Sequence, residues 1–220
     1  MIEHKGVWLP DGEKHLVEAL DHARHVVDGK PAYQYHKLVA AIELTSKKRR
    51  RVAVDVGAHV GLWSSHLALL FKHVHAFEPM PEYRACFLKN VIAGNVTMHE
   101  VALGGQRAEA RMTVEQGSSG NTRVAMDDDV AVGAPVEVHP LDEYSLADVD
   151  LLKIDTEGYE MFVVRGAEET LRRCHPTVVV EQKKDREGRY GLGNTDAVTF
   201  LESLGAKVRK VMAGDYILTW

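Results

Sequence analysis

Four acidic residues close apolar runs in this chain. Asp55 follows Val52-Ala53-Val54, Glu78 follows Val74-His75-Ala76-Phe77, Asp155 follows Leu151-Leu152-Lys153-Ile154, and Glu181 follows Val178-Val179-Val180. A carboxylate buried without a partner costs stability, so acids in such places mark candidate sites. Asp55 leads into Val56-Gly57-Ala58-His59-Val60-Gly61, an Asp-x-Gly-x-x-x-Gly pattern that runs on into a helical stretch. Gly57 permits a tight turn and close backbone approach, and Gly61 opens a helix that packs back on its strand. Such a loop cradles a nucleotide-like ligand. A dinucleotide site is Gly-x-Gly-x-x-Gly and turns several donors on a pyrophosphate, but here His59 takes the second glycine position and Asp55 would repel that charge. The carboxylate suits the ammonium of a methionine moiety and the field of a sulfonium. Glu78 lies 21 residues after Gly57, the distance at which an acid on the neighbouring strand accepts hydrogen bonds from both ribose hydroxyls. Pro79 and Met80 then offer an apolar surface to an adenine.

These side chains need a sheet to hold them. From Arg51 onward short β-branched runs alternate with helical segments, the pattern of βαβ units in a mostly parallel sheet. The sequence predicts strands at Val52–Val56, Val74–Glu78, Val96–Val101, Leu151–Asp155, Val178–Glu181, Ala206–Lys210 and Tyr216–Trp220, and helices at about Gly61–Phe71, Pro81–Ala93, Glu160–Arg173 and Thr195–Leu204. Residues 1–50 read as an N-terminal helical cover, Glu13–Val27 and Tyr33–Leu44, punctuated by Asp28-Gly29-Lys30-Pro31. Residues 51–220 form the Rossmann-like domain, interrupted at about 104–148 by a β insertion with strands Ala108–Val114 and Val136–His139 and a mobile polar tip. The whole is expected to be a single compact domain, since 220 residues suffice for one core without metal or disulfide. Its formal charge of −5 argues against a general nucleic-acid binder. Cys86 and Cys174 lack zinc or CxxC spacing, and neither a signal segment nor a membrane-spanning run is visible, so a cytoplasmic protein with no membrane partner is expected.

With those motifs in place, the chain resembles the FkbM family of methyltransferases over residues 50 to 182. Asp55-Val-Gly-Ala-His-Val-Gly61 is similar to the family's first cofactor motif, with His59 where Asn is more frequent, and Phe77-Glu78-Pro79 is similar to its second. Asn90, Asn95, Val101-Ala-Leu-Gly104, Leu152-Lys-Ile-Asp155-Thr-Glu157-Gly-Tyr-Glu160, Gly166-Ala167 and the run from Pro176 to Glu181 fall in family order. The resemblance implies a class I methyltransferase fold, α/β with a seven-stranded mostly parallel sheet and the last strand antiparallel. It implies S-adenosylmethionine as cofactor and transfer to a hydroxyl of a small molecule or glycan. The cofactor-binding set is then Asp55, Gly57, His59, Gly61, Glu78, Pro79 and Met80. The N-terminal 50 residues and the stretch 186–194 lie outside the resemblance and are expected to choose the acceptor.

Methyl transfer from a sulfonium is an in-line displacement, so positioning and desolvation supply most of the catalysis. A hydroxyl acceptor must also lose a proton. Asp155 is the first candidate base, because in this fold its strand neighbours the cofactor strand; Glu157, Glu181 and a histidine of the N-terminal cover are its rivals. Glu160 reads as a helix N-terminal acid, and Lys153 as the partner of one of these carboxylates. The acids at 155, 157 and 181 also suit a hard cation, but no further ligand set follows and no metal is assigned. Lys47-Lys48-Arg49-Arg50-Arg51 and Asp127-Asp128-Asp129 read as solvated segments. Tyr33, Tyr35 and His36 begin a cover helix that can close over the site, and Ser118, Ser119 and Asn121 can reach it from the insertion. Two further readings stand beside the first. One is a nucleic-acid methyltransferase, disfavoured by the charge and by the lack of an Asn-Pro-Pro-Tyr or Pro-Cys motif. The other is a non-catalytic accessory protein that keeps the S-adenosylmethionine pocket.

Overall fold

The structure, a computed structural model, describes residues 1–115, 117–126, 129–130, 132–183 and 186–220. The N-terminal segment is a mixture of short elements: a hairpin of β1 (Ile2–His4) and β2 (Val7–Leu9), helix α1 (His15–Asp21), a hairpin of β3 (Val26–Val27) and β4 (Lys30–Pro31), and helix α2 (Tyr35–Leu44). The first expected helix is thus cut short at Asp21. Asp28 and Gly29 make the tight turn of the second hairpin instead, and Val26 is paired in a strand where a helix was predicted.

The alternating pattern then unfolds as read. Strand β5 (Val52–Val56), helix α3 (Leu62–Ala68), β6 (His73–Phe77), α4 (Pro81–Asn90) and β7 (Val96–His99) make one half of the sheet. The insertion follows as β8 (Ala102–Leu103), β9 (Ala108–Glu115), β10 (Ser118–Val124) and β11 (Val132–His139), a separate sheet in the order β10-β9-β11-β8. Strand β10 was not predicted, because Ser118-Ser-Gly-Asn-Thr-Arg-Val124 has no apolar alternation; its pairing with β9 makes it a strand. The expected tip, including Asp127 and Asp128, lies outside the described residues, whereas Asp129 is ion-paired with Arg123. The second half of the main sheet is β12 (Val149–Ile154), α5 (Glu160–Arg165), α6 (Glu168–Cys174), β13 (Thr177–Glu181), α7 (Asp196–Ser203), β14 (Lys207–Met212) and β15 (Asp215–Thr219). The single helix expected over Glu160–Arg173 breaks at Gly166, where a Cβ would stand 1.9 Å from the Gly104 carbonyl oxygen. Only a glycine allows the insertion to approach that closely.

The main sheet has the order β14-β15-β13-β12-β5-β6-β7, with β15 antiparallel to both its neighbours and the other strands parallel. Strands β12 and β13 are buried along their whole length, as a central parallel pair covered on both faces must be. Side chains alternate between two cores. Val54, Val56, Leu152, Ile154, Val178 and Val180 face α5, α6 and α7, while Ala53, Leu151, Val179 and Ile217 face α2 and α3 through Leu38, Trp63 and Leu67. Among the described residues no helix is long and apolar enough to cross a membrane.

The winding reverses between β5 and β12, so the crevice at their carboxyl ends is where a ligand belongs. The basic run sits at the opposite end and is more than a solvated connection. Arg51 donates to the buried Asp150 through its backbone N–H and Nε, both at 2.9 Å, and through Nη2 at 2.7 Å, and Arg49 Nε adds a fourth contact at 3.1 Å.

Candidate functional site

The crevice contains a cavity of about 220 Å³ whose wall includes Gly57, His59, Glu78, Asp155, Glu157 and Glu181. Its floor is the turn after β5. Gly57 has φ +70°, and a Cβ on it would lie 2.0 Å from the Asp155 backbone oxygen. The turn therefore brings the tips of β5 and β12 into backbone contact. Its N–H groups are used as well, since those of Gly57 and Ala58 donate to the Phe77 carbonyl at 3.1 and 3.0 Å. Asp55 departs from the expectation. It is fully buried on the α3 side of the sheet, off the cavity wall, because strand alternation puts it on the face of Ala53. Its carboxylate accepts from Ser64 Oγ at 2.7 Å and pairs with Lys153 Nζ at 3.1 Å. Lys153 stands opposite it in register on β12, donates to the Gly57 carbonyl at 3.0 Å and lies 4.0 Å from Asp155. Burial pulls the Lys153 ammonium down, but Asp55 and Asp155 together hold it above the usual lysine range.

On the β6 side Glu78 is buried at the strand tip. One of its oxygens accepts from the His59 backbone N–H at 2.8 Å and the other from the Met80 N–H at 2.9 Å. Burial pushes its carboxyl up to about 7 against the pull of those two donors. Phe77, Pro79, Leu103 and Met112 make an apolar wall beside it. Met80 and Gly61 lie behind the wall, Met80 packed against Tyr83 and Met112, and Gly61 as the first residue before α3.

The roof joins the N-terminal segment to the insertion. Glu13, before α1, accepts from the Leu16 N–H at 2.8 Å, from the Ser119 N–H at 2.8 Å and from the Ser119 hydroxyl. Since that hydroxyl donates to Glu13, its oxygen accepts from His59 Nε2 at 2.8 Å. This fixes the ring in the Nε2–H tautomer, and burial holds the imidazole neutral with its pKa lowered to about 4. Tyr33 and Gln34 also line the cavity, whereas Tyr35 turns away and packs its ring on His25. Glu13 had no signal in the sequence; its partner is 106 residues away.

At the far end Asp155, Glu157 and Glu181 bring carboxylate oxygens within 4.8 Å of one another. A hard cation can bridge such a set, but cations of the chain already hold two of the three. Arg186 pairs with Glu157 and, at 2.9 Å, with Glu181, and Lys183 also pairs with Glu181. Burial and the nearby Asp155 push the Glu181 carboxyl up to about 8 despite Lys183. Asp155 keeps its side chain 22% exposed, and Lys153 at 4.0 Å is the nearest cation paired with it. Glu160 is wholly buried and accepts from the Thr156 N–H at 2.8 Å and the Gly158 N–H at 3.0 Å. It thereby shapes the loop that presents Asp155 and Glu157, close to the helix-end role read for it. Lys183, Arg186 and Glu13 are the site residues missed by sequence reasoning. Lys183, two positions after Glu181, has the spacing of a same-face neighbour.

The fold has counterparts among known proteins. The family model described as the methyltransferase FkbM domain matches residues 55–209. A relative named Methyltransferase 1, from Beauveria bassiana (strain ARSEF 2860), is 28% identical over 183 residues, 70% of this chain and 72% of that protein. The solved methyltransferase FkbM from Methylobacillus flagellatus KT superposes with a TM-score of 0.52 at 19% identity, over 77% of this chain. The chain spans only 43% of that protein's length. A Streptococcus mutans protein solved in complex with SAH shares the fold with a TM-score of 0.50 at 9% identity, over 83% of this chain and 94% of its own.

Proposed function

Because the chain belongs to the methyltransferase FkbM family, whose methyl donor is S-adenosylmethionine, we propose that it methylates a hydroxyl oxygen of a small molecule or glycan, with Asp155 as the base. The observation that carries this reading is the state of the acid cluster. Glu157 and Glu181 are each tied to a cation at short range, while Asp155 stands open to the cavity beside the Gly57 turn. S-adenosylmethionine supplies, when bound, an electrophilic methyl group on a sulfonium. Glu78 accepts the ribose hydroxyls, and Pro79 with the apolar wall takes the adenine. The Gly57–His59 turn holds the methionine portion. Asp55 acts through Lys153 rather than by meeting the ammonium itself, and Gly61 and Met80 shape the pocket from behind. Asp155 would accept the proton of the acceptor hydroxyl as that oxygen takes the methyl group, the methyl–sulfur bond breaking to leave S-adenosylhomocysteine. Glu157 and Glu181 orient the acceptor. The fit to the cofactor rests on the buried acceptor pair of Glu78 and on the Gly57 turn, which no side chain can enter. A net charge of −5 supports a small acceptor over a nucleic acid. A cytoplasmic setting, with both cysteines kept as thiols, completes the reading.

The acceptor class is tested by presenting the protein with donor labelled in the methyl group, alongside hydroxylated small molecules, glycans, DNA and RNA. Label is expected in the first two pools, and label confined to nucleic acid would overturn the assignment. A second expectation concerns pH. Glu78 must ionise to accept both ribose hydroxyls and its carboxyl is raised to about 7, so cofactor affinity rises with pH through that value. Calorimetry with S-adenosylhomocysteine should show an increase approaching tenfold between about pH 6 and pH 8. Glu78→Gln should bind more weakly and lose that slope; a slope retained in the variant would assign the titration elsewhere.

A further inference from the structure

We infer that the acceptor carries an oxyanion, a carboxylate or phosphate, and that Arg189 holds it in a groove beside the methyl-transfer cavity. The inference rests on the methyltransferase reading above and adds the charge of the substrate to it. The groove measures about 350 Å³ and shares Asn121, Glu157 and Arg186 with the main cavity, so an acceptor reaching Asp155 can extend into it. Its wall carries three guanidinium groups, of Arg123, Arg186 and Arg189, and three carboxylates, of Glu115, Asp129 and Glu157. The carboxylates are all engaged. Asn121 Nδ2 donates to Glu115 at 2.6 Å, Arg123 grips Asp129 with two parallel bonds of 2.5 and 2.6 Å, and Arg186 pairs with Glu157.

Arg189 differs from the other two arginines. It is exposed, and among the described residues its side chain has no hydrogen bond or ion pair. Each carboxylate of the groove already has a donor among the described residues, Glu115 a neutral amide and Asp129 and Glu157 a guanidinium, so the unused N–H groups of Arg189, whose charge also reaches Asp129, are left to take the oxygens of an anionic ligand. A guanidinium suits a planar or tetrahedral oxyanion because its N–H groups form a fixed fork for two oxygens. The platform under Arg189 is itself held in place. The next residue, Tyr190, donates its hydroxyl to the Val124 carbonyl at 2.7 Å and packs edge-on against Tyr159, a wall residue of the main cavity. The stretch expected from the sequence to choose the acceptor thus supplies a groove cation that, among the described residues, makes no side-chain hydrogen bond or ion pair.

The test is calorimetric titration with inorganic phosphate and, in a separate arm, acetate. It uses the full chain loaded with S-adenosylhomocysteine, and the ligand-free chain in parallel. Saturable binding of at least one oxyanion is expected, with Arg189→Gln weakening it at least about fivefold and Arg189→Lys keeping part of it. The two arms distinguish a phosphate from a carboxylate substituent. Absence of saturable binding in both arms, or equal affinity in Arg189→Gln, overturns the inference. S-adenosylhomocysteine affinity is read separately and should match between wild type and variant. Its loss in the wild type would count against the methyltransferase reading, while the ligand-free titration still reports on the groove. In the labelled-methyl screen, a neutral acceptor labelled equally by wild type and Arg189→Gln also overturns it.

Discussion

Asp155→Asn is expected to lower methyl transfer at least about tenfold while leaving S-adenosylhomocysteine affinity within a few-fold, since a positioned base contributes about 10²- to 10⁴-fold. Asparagine keeps the shape of the side chain and removes its charge and its capacity to take a proton. The turn that holds the cofactor should be unaffected, because Gly57 contacts the backbone oxygen of residue 155 and not its side chain. Glu157→Gln and Glu181→Gln serve as controls. Each breaks an ion pair with Arg186 and should disturb acceptor affinity more than turnover. Unchanged turnover in Asp155→Asn would remove that residue from the chemistry, and a loss seen only in Glu181→Gln would move the base there.

Lys153→Met is expected to destabilise the fold by about 3–5 kcal/mol, because removing one partner of a buried pair leaves an uncompensated charge. Asp55 is fully buried and Lys153 nearly so. Without the ammonium, Asp55 keeps only the Ser64 hydroxyl, and the Gly57 carbonyl loses a donor. Urea denaturation measures the effect. The double variant Asp55→Asn with Lys153→Met should recover much of the loss, since the stranded charge is then gone. A single variant as stable as the wild type would show that the pair does not hold the floor of the site.

The central strands were legible because their β-branched runs are buried on both faces, and three of the four acids that follow such runs, Glu78, Asp155 and Glu181, line one cavity at the carboxyl end of the sheet. What each acid does there was less legible. Asp55 sits one residue before its strand ends, so alternation turns it toward α3, and the lysine that neutralises it lies across a parallel pairing that no local pattern reveals. Glu157 and Glu181 read as bare acids because Arg186 reaches them from a loop. The helix over 160–173 read as continuous because a glycine inside a helix costs only about 1 kcal/mol. The reason for its break is a carbonyl 62 residues earlier, at Gly104. Strand β10 is polar, with Ser119, Asn121 and Thr122 on the cavity wall, and its tie to Glu13 spans 106 residues. Contacts of that kind depend on the finished topology.

The destination of the transferred methyl group decides whether this protein methylates a hydroxyl oxygen. With carbon-13 methyl donor and an acceptor from the labelled screen, nuclear magnetic resonance of the product should show the new carbon bonded to oxygen as a methyl ether. One S-adenosylhomocysteine should form per ether, and the signal should fall at least about tenfold with Asp155→Asn. A methyl group found on nitrogen, carbon or sulfur or as an ester, or an ether formed equally well without the Asp155 carboxylate, would contradict that assignment.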